Sequence, residues 1–191
     1  MENNFEALAN PTNQLSEQER LEILEECMTQ YGHEVKRVVY SYVKDSTDAD
    51  DITQDVFVKV YENLNTFKGQ SSFKSWVYSI AINKSKDHLR SLKKRQRIYK
   101  EKVVKLWDNK DDETPEKHSI RQEHSSQILK SVKQLPLKYR EVIILYYFED
   151  LTLKEIAEAL SIKLNTAKAR LQRARKKLKP KLEHDGGDQL G

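Results

Sequence analysis

Cysteine is almost absent. Cys27 stands alone, so no disulfide can form within the chain, and packing at the edge of the core is the role expected of it. The five histidines lie scattered without zinc-ligand spacing; no metal or other cofactor is expected. Glycine is scarce too, at five residues, with no glycine-rich motif to cradle phosphate and no nucleophile motif. Nothing here supports an enzymatic activity. No apolar run approaches the roughly 20 residues needed to span a bilayer, and the opening Met-Glu-Asn-Asn-Phe-Glu lacks the basic and apolar regions of a signal peptide. A cytoplasmic protein is expected. Strand-like alternation of useful length and internal repeats are missing as well.

What the chain has in quantity is charge, 34% of its 191 residues, set unevenly. Residues 1–62 carry 14 acidic and five basic side chains, a net of −9, whereas residues 84–105 carry ten basic and two acidic, a net of +8. The basic stretch suits nucleic acid, and an acidic one that keeps its distance suits a protein partner or plain solvation.

Apolar periodicity is helical throughout, predicting an all-α chain of two small domains joined by a flexible linker. Residues 1–17 read as a mobile lead segment. Leu21, Leu24, Met28, Tyr31, Val35, Val38, Val39 and Tyr42 recur at three- and four-residue steps, predicting one long or broken helix that Gly32 weakens. Lys44 to Asp48 reads as a turn, with Thr47 or Asp48 capping a second helix whose stripe is Ile52, Val56, Val60 and Leu64. Asp51, Gln54, Asp55, Val58, Lys59 and Glu62 occupy its opposite face. A loop over 65–72 leads to a third helix, apolar almost all round from Trp76 to Ile82 and basic toward Arg97. The first domain is expected over 18–98, with this helix at its centre. The acidic stretch 108–123 belongs to an exposed linker over 99–123, and four short helices fit 124–182. Residues 183–191 form a tail.

The end of the second domain carries the sharpest local signal. Thr152 followed by Glu155 is a capping-box pattern, and Leu153, Ile156, Ala157 and Leu160 fall at helical spacing. Ser161 and Ile162 interrupt the pattern; Asn165 or a neighbour then caps a helix with the stripe Ala167, Leu171, Ala174 and Leu178. Residues 163–181 hold nine Lys or Arg and no acidic residue. This is a helix-turn-helix pattern. The early turns of such a second helix face base edges, which makes Lys168, Arg170, Gln172 and Arg173 candidate readers. Arg175, Lys176, Lys177 and Lys179 are placed to hold phosphates.

Five stretches in order carry a wider resemblance: Asp51-Ile-Thr-Gln-Asp-Val-Phe-Val-Lys-Val-Tyr61, Phe67-Lys-Gly, Phe73-Lys-Ser-Trp-Val-Tyr-Ser-Ile-Ala-Ile-Asn83, Leu135-Pro-Leu-Lys-Tyr-Arg140 and Ala167-Lys-Ala-Arg-Leu-Gln-Arg-Ala-Arg175. Together, over about residues 20–182, the chain resembles bacterial sigma factors of the extracytoplasmic-function class. The resemblance implies an initiation factor that binds core RNA polymerase and promoter DNA, held in check in many members by an anti-sigma protein, often membrane-tethered. It implies that Asp51, Gln54, Asp55 and Val58 meet the polymerase clamp. It implies that the loop 68–74 and the next helix capture an unstacked base of the minus-ten strand, with Phe67, Lys68, Ser71, Ser72 and Asn83 around the base and Lys84, Lys86 and Arg90 along the backbone. Phe73 and Trp76 fall within an apolar stretch and read as core. It implies that the helix-turn-helix grips the minus-thirty-five duplex. Ala167, Ala169 and Gln172 depart from the family's usual residues, so no promoter sequence carries over. A stand-alone helix-turn-helix regulator is the alternative; it would bind its DNA without polymerase.

Overall fold

The computed structural model describes residue 5, residues 15–103 and residues 125–183. Among them the chain is helical, with no strand: α1 (Glu17–Val43), α2 (Ser46–Asn63), a 3-10 turn (Leu64–Thr66), α3 (Phe73–Val103), α4 (Ser125–Lys133), α5 (Leu137–Tyr147), α6 (Leu153–Ala159) and α7 (Leu164–Glu183). The acidic stretch 108–123 and the tail from 184 lie outside the described residues.

Helix ends follow local hydrogen-bonding demand. Ser16 opens α1 with a capping box, its backbone N–H donating to Glu19 Oε2 at 2.8 Å while the Glu19 N–H donates to Ser16 Oγ at 3.3 Å. Such a cap is worth about 1 kcal/mol. α1 closes on Lys44 in the left-handed region (φ 62°). The following helix starts earlier than its sequence suggests. Asp45, not Thr47 or Asp48, is the cap and accepts from the Asp48 N–H at 3.0 Å, which confines the turn to Lys44 and Asp45. Capping by a carboxylate one residue after a left-handed residue leaves no space for a longer loop.

α1, α2 and α3 pack on one another. The stripe Ile52, Val56, Val60 and Leu64 is buried, as are Val77, Tyr78, Ala81 and Ile82 of α3. Cys27 is wholly buried, and burial, aided by Glu26, pushes its thiol up to about 12. Leu21 and Met28, counted with the apolar set of α1, instead stand about half exposed. In the second half, α5 is buried from Tyr139 to Leu145 without interruption. A helix buried on every side needs neighbours on every side; α6 and α7 cover one flank of α5 and α1 covers another.

Two boundaries shift. α3 runs to Val103, five residues past the expected end of the first domain, because no Gly or Pro interrupts the basic stretch. Phe5, expected in a mobile lead segment, is buried at 3% exposure and stacks on Phe73, rings 4.3 Å apart and 5° from parallel.

Gly32 sits inside α1, and a methyl group added there would meet no atom within 4 Å. Gly32→Ala is therefore expected to stabilise the chain by about 0.5–1 kcal/mol through lost unfolded-state entropy, read as a higher urea midpoint at unchanged slope.

Candidate nucleic-acid interface

The helix-turn-helix forms as its sequence suggests. Thr152 and Glu155 make a reciprocal capping box (Glu155 N–H to Thr152 Oγ1, 3.3 Å; Thr152 N–H to Glu155 Oε2, 2.9 Å). The turn is fixed by the Ile162 N–H donating to the Ala157 carbonyl at 2.9 Å, with Ser161 left-handed at φ 54°. α7 begins at Leu164, so the capping position is Lys163 rather than Asn165; its carbonyl accepts from the Thr166 N–H at 2.8 Å. Ala167, Leu171, Ala174 and Leu178 are buried. That seating leaves Lys168, Gln172, Arg173, Lys176 and Lys177 on the open side.

Three of the expected readers and holders are already engaged, among them Lys177, whose Nζ lies 5.9 Å from the Tyr139 ring. Arg170 is half-buried and donates through Nη1 to Glu141 Oε1 at 2.7 Å. Arg175 donates through Nε to Tyr147 Oη at 2.8 Å, its guanidinium 5.4 and 5.5 Å from the Tyr146 and Tyr147 rings. In this conformation the free reading set is Lys168, Gln172 and Arg173.

In the first half, Asp51, Gln54, Asp55 and Val58 are all exposed on one face of α2. Val58, 58% exposed, stands among three polar neighbours as an apolar contact without an internal partner. The minus-ten set divides. Lys68, Asn83 and Arg90 are exposed, Arg90 with Asp87 at 2.8 Å. Lys84 lies 3.8 Å from Asp55, and Lys86 lies 3.9 Å from Glu141 across to the second half. Phe67 departs from its expected place around the base: it is buried, edge-on to Phe73 at 5.5 Å and beside Trp76 at 5.1 Å. An apolar ring at the end of a short 3-10 turn gains more from this cluster than from an open loop. Phe67 and Phe73 thus hold the two ends of the loop 68–72, in which Gly69 takes φ 65°.

The seam between the halves is almost invisible to sequence reasoning. Three carboxylates of the second half reach into the first. Glu149, wholly buried, accepts from Arg37 Nε at 2.8 Å, Arg37 Nη2 at 3.2 Å and Tyr78 Oη at 2.7 Å. Its backbone carbonyl accepts from Lys74 Nζ at 2.6 Å. Glu141 accepts from Tyr42 Oη at 2.6 Å, and Glu155 from Ser72 Oγ at 2.7 Å. Burial pushes the Tyr78 and Tyr42 hydroxyls up, and their carboxylate partners push further the same way, so both stay proton donors. Burial alone would raise the Glu155 carboxyl; Ser72, Thr152 and Lys74 outweigh it and bring it below the usual value. The only trace in the sequence is a Glu-Asp pair inside an otherwise apolar run from Val142 to Leu151. Among the described residues no group of metal-ligating side chains occurs, and no helix is long and apolar enough to cross a membrane.

Residues 27–95 match the family model described as Sigma-70 region 2, and residues 125–178 the one described as Sigma-70, region 4. RNA polymerase sigma factor SigV of Bacillus subtilis (strain 168) is 33% identical over 160 residues, covering 84% of this chain and 91% of that protein. The ECF RNA polymerase sigma factor SigW of the same strain is 32% identical over 160 residues, covering 80% and 84%. Among solved structures, the sigma factor RpoE in complex with the anti-sigma factor NepR from Bartonella quintana aligns with a TM-score of 0.63 at 20% identity, covering 83% of this chain and 96% of that one. That last likeness is one of fold.

Removing the Glu149 carboxylate strips Arg37 and Tyr78 of their shared acceptor. Glu149→Ala is expected to part the two halves while each keeps its helices: the radius of gyration from small-angle X-ray scattering rises and far-ultraviolet dichroism does not change. A compact scattering profile for the variant would show the seam to be held by apolar packing instead.

Proposed function

Since the chain belongs to the extracytoplasmic-function class of RNA polymerase sigma factors, which initiate transcription by bringing core polymerase to promoters, we propose how its residues divide that work. The face Asp51, Gln54, Asp55 and Val58 docks on the polymerase clamp. The loop 68–72 takes an unstacked base of the minus-ten strand, with Lys68, Ser71, Ser72 and Asn83 around it and Lys84, Lys86 and Arg90 on the strand's phosphates. Opening a duplex without ATP costs a few kcal/mol per extruded base, which base contacts and backbone cations must repay. Phe67 serves as an anchor of the loop, because its ring is buried. In the second half Lys168, Arg170, Gln172 and Arg173 read the minus-thirty-five duplex and Arg175, Lys176 and Lys177 hold phosphates.

One observation carries this division: the basic residues of α3 and of α7 belong to different halves, each beside its own recognition element, the loop 68–72 and the helix-turn-helix, and they meet at Glu141, which takes both Lys86 and Arg170. Promoter elements at minus ten and minus thirty-five are about 25 base pairs apart, or about 85 Å of duplex at about 3.4 Å per pair. A compact chain of this length is roughly 40 Å across. The chain therefore opens to work, which also frees Ser72 from Glu155. Arg170 leaves Glu141 only by a rotamer change within its own domain.

The partners proposed are core polymerase, promoter DNA and an anti-sigma protein; the solved relative bound to NepR supports a partner of that last kind. The site of action is the cytoplasm, where polymerase and DNA are. The chain carries out no catalytic step of its own.

Transcription in vitro with purified core polymerase over a promoter library tests the division. Specific starts are expected only with the protein present. Arg173→Ala should lose about 1–3 kcal/mol of discrimination at one base pair, and Lys176→Ala should weaken all sequences alike. Equal, sequence-independent losses for the two variants would remove the base-reading assignment, and specific DNA binding by the chain without polymerase would favour the stand-alone regulator.

A further inference from the structure

Two residues ahead of α1, Phe5 and Leu15, meet the two ends of the loop 68–72. Beyond the loop, the Phe5 ring lies flat on Phe73, 4.3 Å between centroids and 5° from parallel, with Tyr31 of α1 behind it at 5.8 Å. Ahead of the loop, the Leu15 N–H donates to Asn65 Oδ1 at 3.1 Å; Asn65 belongs to the 3-10 turn that delivers Phe67. Phe67 and Phe73 in turn meet edge to face at 5.5 Å, each against Trp76. The loop thus leaves and returns to a single aromatic cluster, one wall of which is Phe5. The similarity to Sigma-70 region 2 begins only at residue 27, so this wall is outside the part of the chain that the family model accounts for.

The physical consequence lies in the loop's geometry. Phe73 begins α3 immediately after Ser72, and its ring is held on one face by Phe5 and at the edge by Phe67. Rotation or outward drift of Phe73 would move Ser71 and Ser72 with it, since they are its chain neighbours. Aromatic stacking restrains both ring tilt and ring separation, which a purely aliphatic contact does not.

We propose that Phe5 is a positioning residue for minus-ten base recognition: by stacking on Phe73 it fixes the loop 68–72 in the geometry that discriminates among bases. The inference rests on the reading of that loop as the base-capturing element. It makes the lead segment a determinant of promoter choice, acting through Phe73 without touching DNA.

The test is open-complex formation by full-length protein reconstituted at saturating concentration with core polymerase, on promoters differing at a single minus-ten base. The quantity read is the ratio between the preferred base and its replacement. Phe5→Tyr keeps the flat ring and is expected to keep the ratio. Phe5→Leu keeps apolar filling without the flat stack and is expected to lower the ratio on the order of tenfold, below the roughly hundredfold that a full 1 Å misplacement can cost. Thermal melts accompany each variant, and Phe5→Leu rather than Phe5→Ala is used so that the core stays filled. An unchanged ratio for Phe5→Leu, with or without a lower melting temperature, would overturn the proposal, because a merely structural role changes the amount of working protein and not its preference. The double variant Ser71→Ala, Ser72→Ala separates the two readings. If it lowers the ratio and Phe5→Leu does not, the positioning role fails alone; if neither lowers it, the loop's role fails first and this inference with it.

Discussion

A carboxylate removed from water must find its donors inside the protein, and Glu149 finds its side-chain donors in the opposite half of the chain. Arg37 and Tyr78 come from two different helices, α1 and α3, so satisfying one buried anion fixes the second half against both. The corner that presents Glu149 is rigid: the Phe148 and Glu149 N–H groups both return to the Ile144 carbonyl, the Leu151 N–H returns to Leu145, and Asp150 is left-handed at φ 52°. Such pairs give little net stability, because desolvation offsets their attraction, yet losing one partner leaves the other costly. The arrangement suits a joint that must be specific when closed and affordable to open. Exposure of the Arg37 side chain, 42%, gives water a route to the joint.

That joint also explains what the closed chain withholds. Ser72 and Lys74, at the loop and helix start proposed to meet the melted strand, are occupied by Glu155 and by the Glu149 carbonyl. Lys86 lies near Glu141, which also holds Arg170. On the proposed division the acidic groups of the second half occupy the partners meant for phosphates and bases, and the charge segregation along the chain is partly satisfied internally. Acidification would weaken the Glu155 contact. Its carboxyl titrates below the usual value when folded, so the contribution is complete above the ordinary carboxylate range and is lost as pH falls through the lowered pKa.

Much of this was legible in the sequence where short-range rules decide. Apolar stripes located α2, α3, α6 and α7, and the Thr152 to Glu155 capping box located the helix-turn-helix, because both depend on residues three or four apart. The α2 face of Asp51, Gln54, Asp55 and Val58 could be read the same way. Long-range matters could not. Glu149 pairs with Arg37 across 112 positions and Ser72 with Glu155 across 83, and no periodicity encodes such distances. The burial of Phe67 is not legible either, because an aromatic beside a loop reads equally as a base platform or a core ring until its neighbours are known. Phe5 was missed because a lone aromatic among polar residues has no period at all.

Cys27 carries a last consequence. It is the chain's single thiol, wholly buried, and held protonated well above neutral pH. Thiol oxidation and disulfide exchange both need an accessible thiolate, and the folded first half offers none. A redox signal that works through sulfur chemistry of cysteine is therefore invisible to this polypeptide while it is folded. A cysteine-based sensor of oxidants or of thiol-reactive metals acting on this chain in its folded state would have to sit in another protein.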